Sequence, residues 1–322
     1  RKAFSVDRMG VIAQTAERTG GQIQNANDCR TLTVSRCRSV VSLQETNSKE
    51  PQMSIANLIT RTFTGAAAAA VLAFGFSAGA AAADKVIRIG VTPVPHADIV
   101  NFIKPQLEKE GVKIEVVEFN DYVQPNLALD SKDLDANYFQ TIPYLEEFVK
   151  QHNFKFKILV SVHLEPMAVY SKKFKNVADI PAGSRIAVPS DPTNEGRALK
   201  VLENAGLIKL KKDATLLATT VDIVENPKKL SFYELEPAQL PRSLDDVAAA
   251  VINANYALQA GLNPAHDSIA LEAKSSPFGN VVVVRDGDEA KPEFQKLKAA
   301  ITSPEVKKFI EEKYKGGVIP VF

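Results

Sequence analysis

Beyond residue 84 the chain alternates short apolar runs with amphipathic stretches. Val86-Ile87-Arg88-Ile89-Gly90-Val91 has the length and β-branched content of a strand, and Thr92-Pro93-Val94-Pro95-His96 turns it into a helix. Ile99, Phe102, Ile103 and Leu107 give that helix one apolar stripe to about Glu110, and Gly111 stops it as a C′ glycine. Lys113 to Phe119 reads as a second strand, Tyr122 to Leu129 as a short helix and Leu134 to Phe139 as a strand end. A further helix starts near Pro143 and carries Leu145, Phe148 and Val149, and Ile158 to Tyr170 is a long extended run interrupted by Pro166.

After Lys172 the alternation restarts. Arg185 to Pro189 is a strand, Glu195 to Ala205 a helix closed by Gly206, and Leu230 to Leu235 a strand. Ser243 to Ala248 then reads as a helix and Ala249 to Asn253 as a strand. Asn280 to Val284 is an apolar strand running back, and Ser303 to Lys315 a final amphipathic helix. Two rounds of strand and helix predict an α/β protein of two lobes with mostly parallel sheets. The expected lobes are 84–170 plus 280–322, and 171–279, joined by two crossover strands. A ligand cleft would lie between them, outside the carboxyl ends of the strands.

The first 83 residues change the picture of where this chain works. Residues 1–52 hold both cysteines, Cys29 and Cys37, without metal or redox spacing, and read as a disordered or mistranslated upstream extension. Residues 53–83 read as a signal peptide. Arg61 supplies the positive charge, Gly65 to Phe76 the apolar run, and Ala81-Ala82-Ala83 a small-residue cleavage site before Asp84. No cysteine stands at that junction, so the expectation is a cleaved, periplasmic, freely diffusing protein without a lipid anchor. Residues 84–322 have 30 Lys+Arg against 33 Asp+Glu and no cysteine. They offer no basic field for nucleic acid, and the fold must hold without disulfides.

Ile186-Ala187-Val188-Pro189-Ser190-Asp191-Pro192-Thr193-Asn194-Glu195-Gly196-Arg197-Ala198-Leu199 is the stretch with the clearest local logic. A strand ends, Asp191 caps a helix, and Pro192 takes the first helical position. The helix opening suits a carboxylate or phosphate. Arg197 shares a face with Asn194, and its guanidinium is suited to hold a carboxylate by two parallel hydrogen bonds. A capped helix after a strand is also ordinary α/β architecture, so these residues alone leave a purely structural role open.

Catalytic patterns are absent from the sequence: there is no nucleophile elbow, Walker loop or Gly-rich dinucleotide turn. His163-Leu164-Glu165 puts two potential metal ligands on one side of a strand, but His96, His152 and His266 are scattered along the chain. A structural role for His163 is the expectation, with no catalytic residue, metal or cofactor. More informative are Tyr122, Phe139 and Tyr144 at turns of the first lobe, and Asn253, Asn255 and Asn280 at strand ends. With Arg197 they supply an apolar slot, amide oxygens for an ammonium group and a cation for a carboxylate. An amino acid with an apolar side chain needs those three things.

Several ordered motifs carry a resemblance. They are Gly90-Val91-Thr92-Pro93 with Pro95-His96, Asp135-Ala136-Asn137-Tyr138-Phe139-Gln140, His163-Leu164-Glu165-Pro166-Met167, and Asp191 to Leu199. Gln239 to Val247, Val251-Ile252-Asn253-Ala254-Asn255-Tyr256-Ala257 and Ser276-Pro277-Phe278-Gly279-Asn280 continue the series. Over essentially all of 84–322 the chain resembles the methionine-binding substrate-binding proteins of ABC importers, the NlpA lipoprotein family. The resemblance implies a two-lobed periplasmic-binding-protein fold of the two-crossover type (type II). It implies a monomer that takes methionine, in its L or D form, to a membrane permease driven by a separate ATPase. It assigns the ligand carboxylate to Arg197, the amino and carboxylate groups to Asn253 and Asn280 with Asn194 nearby, and the thioether to Tyr122, Phe139 and Tyr144. Thr141 stands where the family usually has histidine. Rival readings are another apolar amino acid, a methionine-containing dipeptide, or a metal carrier or enzyme using His163 and Glu165.

Overall fold

A computed structural model of the chain describes residues 85–273 and 276–322. The expected upstream extension and signal peptide lie outside the described residues. In chain order the strands are β1 (Lys85–Val91), β2 (Val112–Glu118), β3 (Ala136–Thr141), β4 (Phe156–Leu164), β5 (Ala168–Tyr170), β6 (Arg185–Pro189) and β7 (Lys209–Leu210). They continue as β8 (Ile223–Glu225), β9 (Ser231–Leu235), β10 (Ala249–Ile252), β11 (Ala270–Leu271), β12 (Gly279–Arg285) and β13 (Ile319–Pro320). The helices are α1 (Asp98–Lys109), α2 (Gln124–Asp130), α3 (Ile142–His152), α4 (Pro192–Asn204), α5 (Leu240–Ser243), α6 (Ala254–Gln259), α7 (Pro264–Asp267), α8 (Pro292–Ile301) and α9 (Pro304–Tyr314).

Two main sheets result. One has the order β13-β4-β12-β3-β1-β2, the other β11-β5-β10-β6-β9. The chain passes from the first to the second between β4 and β5, and back between β11 and β12. The extended run over 158–170, expected to be interrupted at Pro166 and to cross between lobes, is two strands in different sheets, parted at Glu165-Pro166-Met167. Proline has no N–H to give a ladder, so the break falls there.

The sheets are mixed rather than mostly parallel. β1 pairs parallel with β2 and β3, while the returning β12 is antiparallel to both β3 and β4. In the second sheet β6 is parallel to β9 and β10, while β5 runs antiparallel to β10. A strand that leaves a sheet and another that re-enters it cannot all keep one direction.

In the first core, Ile87, Ile89 and Val91 of β1 meet Ile99, Ile103 and Leu107 of α1, all buried. Phe102, expected in that stripe, is instead 42% exposed and stacks on Phe309 of α9 at 4.4 Å between ring centroids. Val100 takes the buried place. The helix expected over 243–248 lies earlier, at Leu240–Ser243, and α8 carries a clear stripe of Phe294, Leu297 and Ile301. Gly111 and Gly206 follow α1 and α4 at φ +76° and +75°, a conformation that glycine enters without a Cβ clash.

α4 matters most for the site. Its first two turns, Thr193 to Leu199, are buried on every side. Gly196 permits this: a Cβ there would lie 2.2 Å from the Leu216 carbonyl oxygen. In an open helix Gly→Ala stabilises by about 0.4–1 kcal/mol. Here the backbone contact reverses the sign, and Gly196→Ala should cost about 1–3 kcal/mol as overpacking. Thermal melting of the two proteins checks this; a higher melting temperature for the variant would refute the close-approach account.

Candidate functional site

Strand ends from both sheets converge on one cavity, with about 350 Å³ of empty space counted out to open solvent. Its wall holds Tyr122, Phe139, Tyr144, Asn194, Arg197, Asn253 and Asn280, so the structure brings together all seven residues to which the resemblance assigns the ligand. It adds Gln140, Thr141, Glu165, Ala254 and Asn255. Strand register places several of these. Asn280, at the start of β12, lies opposite Thr141 on β3 and His163 on β4.

The aromatic side of the cavity comes from the turn after β2, from β3 and from α3. The Tyr122 ring stands 6.0 Å from Phe139 and 5.9 Å from Tyr144, centroid to centroid, and Phe139 and Tyr144 are 6.2 Å apart. The Tyr144 hydroxyl donates to the Tyr122 carbonyl at 3.0 Å, which fixes the corner. β3 is itself held by a buried amide lattice in which Asn126, Asn137 and Gln140 bond one another at 2.8–2.9 Å. These four bonds need no ligand, so this part of the wall is preformed.

The amide side is only partly satisfied. Asp191 caps α4, accepting from the Asn194 backbone at 3.0 Å and from its amide at 2.9 Å. Asn194 Oδ1 then accepts from Asn253 Nδ2 at 2.8 Å, which leaves Asn253 Oδ1 buried without a partner. Asn255 Oδ1 accepts from the Tyr122 hydroxyl at 2.6 Å, a bond from one sheet's side of the cavity to the other, and its Nδ2 is likewise unpartnered. An orphaned buried amide group costs about 1–3 kcal/mol, so both atoms favour an occupant that bonds them. Asn280 Oδ1 faces His96 Nε2 at 3.2 Å, which turns its amide nitrogen away from that ring.

Two expectations about the α4 end change. The helix opening is not left for an outside anion, because the Asp191 carboxylate fills it. Burial pushes that carboxyl above its usual range, while the Asn194 bonds pull it back. Nor is the Arg197 fork open. Its Nε and Nη2 bond Glu272 at 2.9 and 2.5 Å, and Nη2 also donates to the Glu165 carbonyl at 2.7 Å. Among the described residues, Nη1 is the nitrogen of this guanidinium without a hydrogen bond.

Below the amides lies a buried acid–base cluster. Glu165 Oε1 is 2.6 Å from His163 Nε2 and 3.3 Å from His96 Nε2. The far ring nitrogens meet the Tyr138 hydroxyl and, at 2.7 Å, Thr92 Oγ1. Two histidines and a carboxylate are a plausible zinc donor set, with ligand atoms within 4.8 Å of one another. Each donor already bonds a neighbour, however, and the arrangement is complete as a hydrogen-bond chain. Burial lowers His96 to about 4 and His163 to about 3, and raises Glu165 against the pull of His96 and Arg197. Sequence reasoning missed Glu165 as a wall residue, because a carboxylate at a strand end gives no sign of which way it faces.

A family model described as NlpA lipoprotein matches residues 87–322. The chain belongs to the NlpA lipoprotein family. The D-methionine-binding lipoprotein MetQ of Escherichia coli K12 is 46% identical over 236 residues, covering 72% of this NlpA-family chain and 87% of the relative. A nutrient-binding protein from Burkholderia cenocepacia, solved bound to methionine, is 50% identical with a TM-score of 0.72, covering 73% of this chain and all of that one. An ABC transporter periplasmic substrate-binding protein from Coxiella burnetii is 41% identical with a TM-score of 0.70, over 73% of this chain and 100% of that one. These likenesses fit the two-lobed periplasmic-binding fold. They also overturn one expectation. A freely diffusing periplasmic protein without a lipid anchor was inferred from a missing cysteine near residue 84, yet the family and the Escherichia coli relative are both named lipoproteins. That junction lies outside the described residues.

The cluster makes the fold of this NlpA-family chain acid-sensitive. Unfolded histidines take protons below about 6.5, whereas folded His96 and His163 resist until about 4 and 3. Stability is thus present above 6.5 and falls as pH drops below it, by about 2 kcal/mol per histidine at pH 5. Glu165, raised by burial, contributes with the contrary sign. Urea midpoints at pH 7 and 5 should fall for the unaltered protein and fall less for His163→Gln. Equal slopes would show that the histidine is not buried neutral.

Proposed function

We propose that this chain is the solute-binding component of an ABC importer. It captures methionine between its lobes as a monomer and presents the loaded, closed form to a membrane permease served by a separate ATPase. The lobes are divided at the crossings, and the protein performs no chemistry on its ligand. The observation that carries this reading is the pairing, in one cavity, of three aromatic rings with the orphaned Asn253 Oδ1 and with Arg197, whose Nη1 is unbonded among the described residues. Aromatic rings suit a polarisable thioether. An unpartnered amide oxygen in the same wall as the Glu165 carboxylate suits an ammonium group. Arg197 Nη1 with the Asn280 amide nitrogen suits a carboxylate. Asn194 holds Asn253 in place and makes no ligand contact of its own in this scheme. The names of the relatives point the same way.

Closure is worth only the ligand's differential affinity for the closed state. The Tyr122–Asn255 bond spans the cavity, so an occupant that satisfies Asn255 Nδ2 also stabilises this clasp. Thr141 sets no charge in the wall and leaves the side-chain slot to the rings.

Calorimetric titration, after copurified ligand is removed by unfolding, tests the proposal. One-to-one binding of L- or D-methionine is expected, tighter than that of other apolar amino acids or methionine-containing dipeptides. Asn280→Ala should weaken it about tenfold, the worth of one hydrogen bond to a charged group. Arg197→Ala should weaken it about a hundredfold or more and also lower the melting temperature, because it strands the buried Glu272. Near-normal methionine affinity in Arg197→Ala would remove the assignment, and a preference for a dipeptide would replace the ligand but keep the class.

A further inference from the structure

Glu272 stands outside the cavity wall, on the irregular segment that returns from β11 to β12, and is 91% buried by its 9% exposure. Its Oε1 accepts from Arg197 Nε at 2.9 Å and from Ser276 Oγ at 3.0 Å. Its Oε2 accepts from Arg197 Nη2 at 2.5 Å and from the Met167 backbone at 3.0 Å. The Phe278 ring packs against the guanidinium at 4.3 Å, and the Glu165 carbonyl takes the last hydrogen of Nη2. Arg197, a residue of the cavity wall, is therefore held on three sides by the two crossings, and among the described residues Nη1 is its nitrogen without a hydrogen bond.

We propose that Glu272 is a positioning and specificity-determining residue, which makes the site select a zwitterion over a simple carboxylic acid. The inference rests on the methionine reading above. It has a geometric and an electrostatic half. Geometrically, Glu272 occupies the Nε/Nη2 fork, so an incoming carboxylate meets Nη1 alone and needs a second donor. A bare guanidinium would offer a full fork to any carboxylate. Electrostatically, Glu272 offsets the charge of Arg197 before the ligand arrives. The charged groups of the wall are Arg197 and Glu165 among the described residues. With Arg197 already paired, the site has no surplus positive charge to reward an anion. A ligand with both an ammonium and a carboxylate suits that balance, whereas one lacking the ammonium leaves Glu165 and Asn253 Oδ1 unanswered.

The test compares three probes on three proteins. The probes are L-methionine, 4-(methylthio)butanoate, which lacks the ammonium, and 3-(methylthio)propylamine, which lacks the carboxylate. Unaltered protein should prefer methionine to both. Glu272→Gln keeps shape but removes the charge, and the preference for methionine over 4-(methylthio)butanoate should shrink at least tenfold. Glu272→Asp keeps the charge but shortens the reach; methionine should weaken at least fivefold while that preference is retained. A merely structural role would weaken all probes in proportion, and an unchanged preference in Glu272→Gln would overturn the inference. If Glu272→Gln does not fold, Glu272→Asp decides alone, since full methionine affinity in that variant refutes the positioning half. Absence of methionine binding by the unaltered protein, seen in the first titration, would instead overturn the reading beneath it.

Discussion

The buried pair of Arg197 with Glu272 is the interaction on which the site depends. Three segments distant in sequence meet there: the first turns of α4, the passage from β4 to β5, and the return from β11 to β12. A buried ion pair is weak evidence for stability, because desolvation offsets most of its attraction, but removing one partner is costly. Its value here is registry. The two-point contact allows one orientation of the guanidinium, and the backbone groups of Glu165 and Met167 are bound to the same pair. The two crossings are consequently tied at the point where the cavity needs its cation.

Around that anchor the wall divides into a finished and an unfinished part. The rings and the Asn126–Asn137–Gln140 lattice are complete without an occupant, so the slot for an apolar side chain is rigid before binding. Asn253 and Asn255 each leave one buried atom unanswered. This division gives the empty cavity a cost confined to the end where the polar groups of an amino acid would sit. Preorganisation on one side and unmet demand on the other favour a ligand that is apolar at one end and doubly charged at the other.

The sequence made the regular parts legible. Asp191 and Pro192 announced α4, and Gly111 and Gly206 marked the ends of their helices, because caps and positive φ are local requirements. The seven wall residues were named because aromatic and amide residues collected at strand ends, helped by a family resemblance. The two- and three-residue strands β7, β8, β11 and β13 were not legible, since so short a run has no period. Glu272 was invisible for a related reason: it lies on an irregular segment whose partners are 75 and 105 residues away. The engagement of Arg197 could not be read from α4 alone, where its exposed-looking position suggested an open fork. Phe102 shows the limit of a helical stripe, as a neighbouring helix offered its ring a partner outside the core.

The order in which the cavity wall is drawn from the chain has a further consequence. Tyr122, Phe139 and Tyr144 come early, Arg197 and Asn253 in the middle, and Asn280 near the end, pairing with β3 and β4 made some 120–140 residues before. A chain growing from its amino end thus holds the apolar half of the site long before the half that recognises charge. Until β12 is inserted, no stretch of nascent chain contains a complete binding site. Ligand is therefore unable to act as a template for the early sheet, and its binding energy reports only on molecules in which β12 is already in place.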